Sequence, residues 1–257
     1  MTSIDLTEFI DFATVLAGRA GDIVRPYFGS RDLAVEAKSD ASPVTQADRE
    51  AEEAMRELIA TRYPHHGIIG EEYGREHEDA EWVWVLDPID GTISFTSACP
   101  LFGTLVGLLH QGQPVLGVIS QPVLRQLMIG TAEGTRLNGR PVRVRATERL
   151  EDAVLLTTDI ASIAAYQDGA AFDRLRSRVR LFRTWGDCYG YLLVASGNAD
   201  AMVDPRMSEW DLLPLVPIME GAGGVISSWT GGSAVGADSC VAAGAGVHGV
   251  VVEVLSA

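Results

Sequence analysis

One stretch decides the fold and the chemistry of this chain: Val83-Trp84-Val85-Leu86-Asp87-Pro88-Ile89-Asp90-Gly91-Thr92. It begins as a short apolar run, typical of a buried strand, and ends in two carboxylates, a glycine and a hydroxyl. Pro88 fixes its own φ and disfavours helix at Asp87. We therefore expect both aspartates on a sharp turn that aims them at one point.

These two carboxylates would repel each other at neutral pH unless a proton or a cation lay between them. Oxygen ligands without a nearby His or Cys favour a hard cation such as Mg²⁺. Gly91 lets the backbone approach a ligand closely, and Thr92 offers a hydroxyl to a phosphate oxygen. The stretch therefore predicts a metal and phosphate site. The same D-P-x-D-G sequence also suits an acidic β-turn, so both interpretations stand on these residues alone.

Composition narrows the class of protein. The chain has 257 residues, 47% hydrophobic and 21% charged, which is typical of a globular protein with a large core. Its net charge of −15 argues against nucleic acid or an anionic membrane as partner. No apolar run approaches the ~18 residues that span a bilayer, and no secretory signal is visible, so we expect a cytoplasmic protein. The cysteines show no metal or disulfide spacing and are expected to be free thiols.

Hydrophobic periodicity predicts two halves, residues 1–146 and 147–257, without a flexible linker between them. In the first half a polar loop over 36–44 precedes the second helix, and an antiparallel meander follows the stretch quoted above. The second half alternates strand and helix, which is typical of an α/β arrangement. The predicted helices cover 6–28, 45–63, 170–178, 189–196 and 211–220; the predicted strands cover 66–70, 105–109, 115–120, 126–130, 154–157, 179–183 and 201–204, with a last strand and helix after Cys240.

Three further acidic positions have two explanations each at this point. Thr45 and Asp48 have the spacing of a capping box, so Asp48 would satisfy only the first turn of its helix. Asp211 opens a helix, where capping and the helix dipole explain it, unless it reaches across to a metal site. Glu71 belongs to a pair of glutamates at a strand end, where such residues are usually solvated.

With these pieces side by side, the chain resembles the inositol monophosphatase family of Mg²⁺-dependent, lithium-sensitive phosphomonoesterases. The resemblance implies a layered α/β fold, a five-layer α/β/α/β/α sandwich, and a homodimer. Four motifs carry it in the order of the family: Pro43-Val44-Thr45 to Asp48, Gly70-Glu71-Glu72, Asp87-Pro88-Ile89-Asp90-Gly91-Thr92, and Trp210-Asp211 followed by Gly221-Ala222-Gly223-Gly224.

Carried over position by position, the resemblance implies a site for two to three Mg²⁺ ions. Asp48 would join the site through water, and Gly91 and Thr92 would hold the phosphate. Thr92, with Asp48 or Glu71 behind it, would orient the attacking water. The implied metal ligands are Glu71, Asp87, Asp90, Asp211 and the carbonyl of Ile89.

Within the family, the chain is most similar to the histidinol-phosphate phosphatase branch, in Pro100-Leu101-Phe102-Gly103-Thr104-Leu105, in residues 117–123 and in Gly186-Asp187-Cys188-Tyr189. Asp187 and Asp204, with Glu209 as a weaker third, would pair with the ammonium and imidazolium of histidinol phosphate. Asp187 could instead be a helix N-cap. Ile93 departs from the branch, which usually carries Lys there, and this weakens the substrate assignment.

The sequence thus predicts hydrolysis of L-histidinol phosphate to L-histidinol and phosphate, a step of histidine biosynthesis. One alternative is an inositol-1-monophosphatase or a broad-specificity sugar or nucleotide phosphatase with the same chemistry. Another is a non-catalytic relative that binds metal or phosphorylated ligands as a regulator. The complete set of carboxylates argues against the regulator.

Overall fold

The structure is a computed structural model that describes residues 4–30, 35–37 and 43–257. The middle of the predicted polar loop, residues 38–42, lies outside this part of the chain. The helices are α1 Thr7–Tyr27, α2 Gln46–Arg62, α3 Thr92–Thr96, α4 Ile160–Tyr166, α5 Gly169–Arg178, α6 Asp187–Ala195, α7 Glu209–Leu212, α8 Leu215–Gly221 and α9 Ala245–Leu255, with a 3₁₀ turn at Leu150–Asp152. Within the described residues, none of these helices has the length and apolar character needed to cross a bilayer.

The strands form two large sheets and one small antiparallel pair. They are β1 Val35–Ala37, β2 Pro43–Thr45, β3 Gly67–Gly70, β4 Gly74–Glu76, β5 Trp82–Asp90, β6 Gly103–His110, β7 Gln113–Gln121, β8 Gln126–Thr131, β9 Gly134–Leu137, β10 Arg140–Val142, β11 Val154–Leu156, β12 Leu181–Arg183, β13 Ala201–Asp204, β14 Gly224–Ser227 and β15 Cys240–Gly244. The first sheet has the order β10-β9-β8-β7-β6-β5-β3-β4, and the second has the order β12-β11-β13-β15-β14.

The two sheets and their helices stack in five layers, which confirms the predicted α/β/α/β/α sandwich. Helices α1 and α2 cover β5, β6 and β7 on the outer face of the first sheet. Helices α6 and α8 lie between the sheets and contact both. Helix α9, with α5 beside it, covers the outer face of the second sheet. The interior strands of each sheet are therefore buried on both faces, as their continuous apolar sequences require.

The antiparallel meander is confirmed as β6 to β10, and β5 lies at its start. β5 pairs antiparallel with β6 and parallel with β3, so it is an interior strand with a nearly uniform buried sequence. Because β3 and β5 run parallel, their carboxyl ends lie at the same edge of the sheet. Glu71 follows β3 there, and Asp87 and Asp90 are at the end of β5.

Three features of the second half differ from the prediction. The single helix expected over 211–220 is divided into α7 and α8, because Pro214 has no N–H to bond to the carbonyl of Trp210 one turn earlier. Helix α4 was missed, although Asp159 caps it by accepting from the N–H groups of Ala161 and Ser162. The second sheet is also mixed: β13 and β14 run antiparallel to β15.

The two sheets lie on either side of residue 146, but one buried cluster joins them. Leu105 and Ile119 of the first sheet pack in the same buried cluster as Leu156 and Tyr191 of the second half. The division into units 1–146 and 147–257 stays a prediction.

Candidate active site

The site begins at the last residues of β5. The strand continues through Asp90, which pairs with Gly103 of β6, and the register shifts between Asp87 and Asp90. The predicted sharp turn is therefore a β-bulge, and this irregularity accommodates Pro88, which has no N–H for the ladder. The N–H of Ile89 donates to Asp87 Oδ1 at 3.0 Å. The bulge re-aims the two carboxylates while the strand stays in the sheet.

Asp211 comes from a segment far away in sequence to complete a cluster with Asp87 and Asp90. One carboxylate oxygen from each of the three lies within 4.8 Å of the others. Asp211 also accepts from the N–H of Ser208 at 2.9 Å and closes the capping box of α7. Capping and membership of the cluster therefore coexist in this residue.

The electrostatics of this cluster favour a bound cation. Burial, followed by the charges of Glu71, Asp90 and Asp211, raises the pKa of Asp87 well above its ordinary value. Burial and the neighbouring Asp187 and Asp211 raise the pKa of Asp90 in the same direction. Burial raises the pKa of Asp211 to about 7. A divalent cation removes the repulsion that these shifts express, so the donor set fits a hard metal ion.

Two more predicted residues border the cluster. Glu71 follows β3, its N–H donates to the carbonyl of Leu86 at 3.2 Å, and its charge raises the pKa of both Asp87 and Asp211. Asp48 is fully buried and forms the predicted capping box, in which its Oδ2 accepts from Thr45.

The other oxygen of Asp48, Oδ1, is buried and has no hydrogen-bond partner among the described residues. Burial raises the pKa of Asp48 to about 6, and the charge of Glu71 adds to this increase. An unpartnered buried oxygen of this kind costs free energy unless a ligand or water satisfies it. Asp48 is therefore suited to a water-mediated role at the site.

The predicted phosphate residues follow the bulge directly. Gly91 has φ of 88°, in the left-handed region, and begins α3. The Thr92 hydroxyl donates to the carbonyl of Ile89 at 3.1 Å, so the carbonyl implied as a metal ligand and the phosphate-loop hydroxyl are neighbours.

Asp187 lies directly against this loop. A Cβ at Gly91 would be 2.7 Å from its Oδ2, so glycine is required there to make room for the carboxylate. Asp187 has φ of 51°, unusual for a residue other than glycine, and its N–H donates to Thr158 Oγ1 at 2.9 Å. Its carboxylate accepts from Ser94 Oγ at 3.2 Å and makes no cap bond to α6, so the N-cap alternative is wrong. Burial, followed by the charge of Asp204, raises its pKa to about 7.

The other two predicted substrate residues have protein partners. Asp204 is buried and accepts from the N–H of Thr158 at 3.0 Å and the hydroxyl of Tyr191 at 2.8 Å. Burial nevertheless raises its pKa. Glu209 forms an ion pair with Arg75, which links α7 to the segment that follows Glu71.

Sequence reasoning missed the residues that hold Asp187 and Asp90 in place. Ser94 and Thr158 bind Asp187 from two different elements, and the N–H of Cys188 donates to Asp90 Oδ2. Only the Cys188 contact had a signal in the sequence, because Cys188 adjoins a residue already singled out. The contacts of Ser94 and Thr158 join segments far apart in the chain.

A cleft of about 140 Å³ opens beside the cluster. Its exposed residue Arg206 donates to the hydroxyl of Tyr166 at 2.7 Å, so this positive charge has a fixed partner in α4. Within the described part of the chain, the charged residues of its lining are mostly acidic: Asp90, Asp187, Asp204 and Asp211, with Arg206 as the one basic residue. The layered α/β fold and an acidic cluster beside a small cleft are the arrangement expected of an enzyme that uses a hard cation in hydrolysis.

Comparison with known proteins identifies the family. A model of the inositol monophosphatase family matches residues 5–256, and the chain belongs to this family. It is therefore a phosphatase of the class that hydrolyses phosphoric monoesters. It is 42% identical over 234 residues to the bifunctional phosphatase IMPL2, chloroplastic, of Arabidopsis thaliana, covering 90% of this chain and 67% of that protein.

Relatives with both expected activities are similar to it. A histidinol-phosphatase of Chlorobaculum parvum is 39% identical over 227 residues, which cover 88% of each chain. The solved structure of an inositol monophosphatase from Zymomonas mobilis superimposes with a TM-score of 0.89 at 35% identity, covering 99% of this chain and 100% of the other.

Proposed function

We propose that the acidic cluster holds Mg²⁺ ions and that the protein uses them to hydrolyse L-histidinol phosphate to L-histidinol and phosphate. Asp87, Asp90, Asp211, Glu71 and the carbonyl of Ile89 would be the ligands, with Asp48 joining through water. Three carboxylate oxygens within 4.8 Å of one another support this set. The unpartnered buried Oδ1 of Asp48 supports it independently.

When bound, Mg²⁺ would neutralise charge on the phosphate oxygens and so favour an in-line displacement. The residues of the chain would position the phosphate and the attacking water. Gly91 and Thr92 hold the phosphate at the start of α3, directly after the ligands of β5. Thr92, with Asp48 or Glu71 behind it, would orient the attacking water. Because phosphoryl transfer needs little covalent help, this positioning is the main contribution of the protein.

The substrate proposal rests on one observation, the carboxylate of Asp187 against Gly91. A negative group at this place is next to the proposed phosphate site and lines the cleft that would hold the rest of the substrate. Histidinol phosphate carries a primary ammonium and an imidazole, whereas inositol carries only hydroxyls. A charge-assisted contact to the ammonium therefore favours histidinol phosphate by ~1.5–3 kcal/mol.

Asp204 and Glu209 would contribute less than Asp187 to substrate binding. Asp204 adds negative charge behind Asp187 and acts through Thr158 and Tyr191, to which it is hydrogen-bonded. Glu209 shares its charge with Arg75, so it would contribute least to binding a cation.

Steady-state turnover of histidinol phosphate and inositol 1-phosphate, measured side by side with Mg²⁺, tests the proposal. We expect kcat/KM to be higher for histidinol phosphate. In Asp187→Ser this preference should fall by about 10- to 150-fold, the equivalent of one charge-assisted contact, with little change for the inositol ester. Asp173→Ser, which removes an exposed charge from the same half, is the matched control.

The second candidate is an inositol-1-monophosphatase or a broad-specificity sugar or nucleotide phosphatase. The similarity to the Zymomonas mobilis structure, titled as an inositol monophosphatase, favours it. Equal turnover of both esters, unchanged in Asp187→Ser, would establish this candidate instead. We also propose a homodimer, from the family resemblance, which light scattering of the purified protein tests.

A further inference from the structure

Glu52 is a fully buried carboxylate on α2. It accepts three hydrogen bonds, all from groups near the turn that carries Glu71. The N–H of Glu72 donates at 2.8 Å, the N–H of Tyr73 at 3.1 Å, and Nε of Arg56 at 2.8 Å. Its two oxygens are thus directed at the backbone that immediately follows a proposed metal ligand.

Arg56 extends this contact to the other side of the turn. Its guanidinium donates to the carbonyl of Gly74 and lies 3.6 Å from the carboxylate of Glu76. The pair Glu52 and Arg56 therefore binds the last two residues of the three-residue connection from β3 to β4 and the first residue of β4. Gly70, the last residue of β3, makes room for the pair, because a Cβ there would overlap Oε1 of Glu52.

One face of α2 contributes two acidic residues to the region of the proposed metal site. Asp48 and Glu52 are four residues apart and lie one turn from each other on this helix. On the opposite side, the N–H of Glu71 is bonded to Leu86 of β5. The turn is therefore fixed between α2 and β5, with Glu71 at its first position.

Stability alone explains this arrangement poorly. A buried ion pair adds little stability compared with apolar residues of similar size, whereas breaking one is costly. A short hairpin connection can also close without a charge from another helix. Groups behind metal ligands, in contrast, commonly fix the orientation of those ligands.

We propose that Glu52, balanced by Arg56, is a positioning residue that directs Glu71 into the metal site. The proposal rests on the proposed metal-binding function, and it concerns a residue that touches neither metal nor substrate. It assigns to α2 a second contribution to metal binding beyond that of Asp48.

Isothermal titration calorimetry of purified, folded protein with Mg²⁺ alone tests this. We expect Glu52→Gln to bind Mg²⁺ about 10- to 100-fold more weakly than the wild type, the usual effect of losing a partner behind a metal ligand. Glu57→Gln is the matched control, because it removes an exposed charge from the same helix. Its affinity should stay within about twofold of the wild type. Circular dichroism and urea unfolding establish that each variant is folded under the titration conditions.

A second variant covers the case in which Glu52→Gln does not fold. In Glu52→Gln/Arg56→Gln no uncompensated charge remains, and we expect the same loss of Mg²⁺ affinity. Wild-type affinity in either folded variant would overturn the positioning role. A wild-type protein that binds no Mg²⁺ would instead remove the proposed function, so the two failures are distinguishable.

Discussion

Two regions of this molecule bury aspartates, and they do so in opposite ways. Asp200 is buried and accepts from Thr147 Oγ1 at 2.6 Å, the N–H of Val154 at 2.7 Å and Nη1 of Arg145 at 3.3 Å. Asp87 is equally buried, but its neighbours are Glu71, Asp90 and Asp211. The chain itself satisfies the first carboxylate, whereas the second lies among groups of the same charge, whose repulsion the proposed cation would remove. Mutual repulsion among buried carboxylates therefore marks the proposed metal site, whereas burial of a single satisfied carboxylate such as Asp200 does not.

The largest effect that would test this contrast is the loss of a cluster ligand. We expect Asp90→Asn to lower kcat/KM by roughly 10³-fold or more, because the amide cannot balance a divalent cation. The unfolding free energy of the metal-free protein should stay the same or rise, since one repelling charge is gone. Enzyme kinetics and urea unfolding measure the two effects. Activity within tenfold of the wild type would place the reaction elsewhere.

The second test of this contrast is the dependence of protein stability on pH. The folded-state pKa values of about 6 for Asp48 and about 7 for Asp211 lie above the ordinary value of 3.8. The folded state therefore keeps protons that the unfolded chain releases. As the pH rises from about 4 through about 7, these groups lower the stability of the metal-free protein.

Mg²⁺ competes with these protons, so it should stabilise the protein more at about pH 8 than at about pH 5.5. At a hundredfold excess over Kd the gain is ~2.7 kcal/mol. Urea midpoints with Mg²⁺ and with a chelator at both pH values measure it. An equal gain at both pH values would mean that the metal does not bind at these carboxylates.

The smallest effect is expected at Asp200, whose carboxylate has its hydrogen-bond partners within the chain. We expect Asp200→Asn to lower the unfolding free energy by ~1–3 kcal/mol, because it weakens bonds to Arg145, Thr147 and Val154. Since Arg145 is partly exposed, water compensates some of the loss. Urea unfolding checks the stability, and kcat of the folded variant should remain within about twofold. A large loss of kcat without a loss of stability would show that the contrast is wrong.

The same contrast shows what the sequence could reveal. Asp87 and Asp90 are close in the chain, and an apolar strand before them fixes where they lie, so their pairing was predictable. The two N-terminal helices α1 and α2 and the meander followed from periodicity. The bulge at Pro88 was predicted as a turn. Local sequence could not show that Asp90 pairs with Gly103, because Gly103 lies on the next strand, beyond a loop.

The remaining contacts join segments that are far apart in the sequence, so local sequence patterns do not predict them. The left-handed conformation of Asp187 is held by Thr158 and Ser94, and Glu209 is paired with Arg75 across 134 residues. The break between α7 and α8 was missed although Pro214 is a strong local signal. Glu52 could have been noticed, because it lies one helical turn after Asp48.

The most direct test of the account is an anomalous diffraction measurement on crystals of this protein soaked with Mn²⁺ in place of Mg²⁺. The account predicts strong peaks among the carboxylates of Asp87, Asp90 and Asp211, with Glu71 at their border, and loss of these peaks in Asp90→Asn. Crystals that take up Mn²⁺ elsewhere, and show none between these carboxylates, would contradict it.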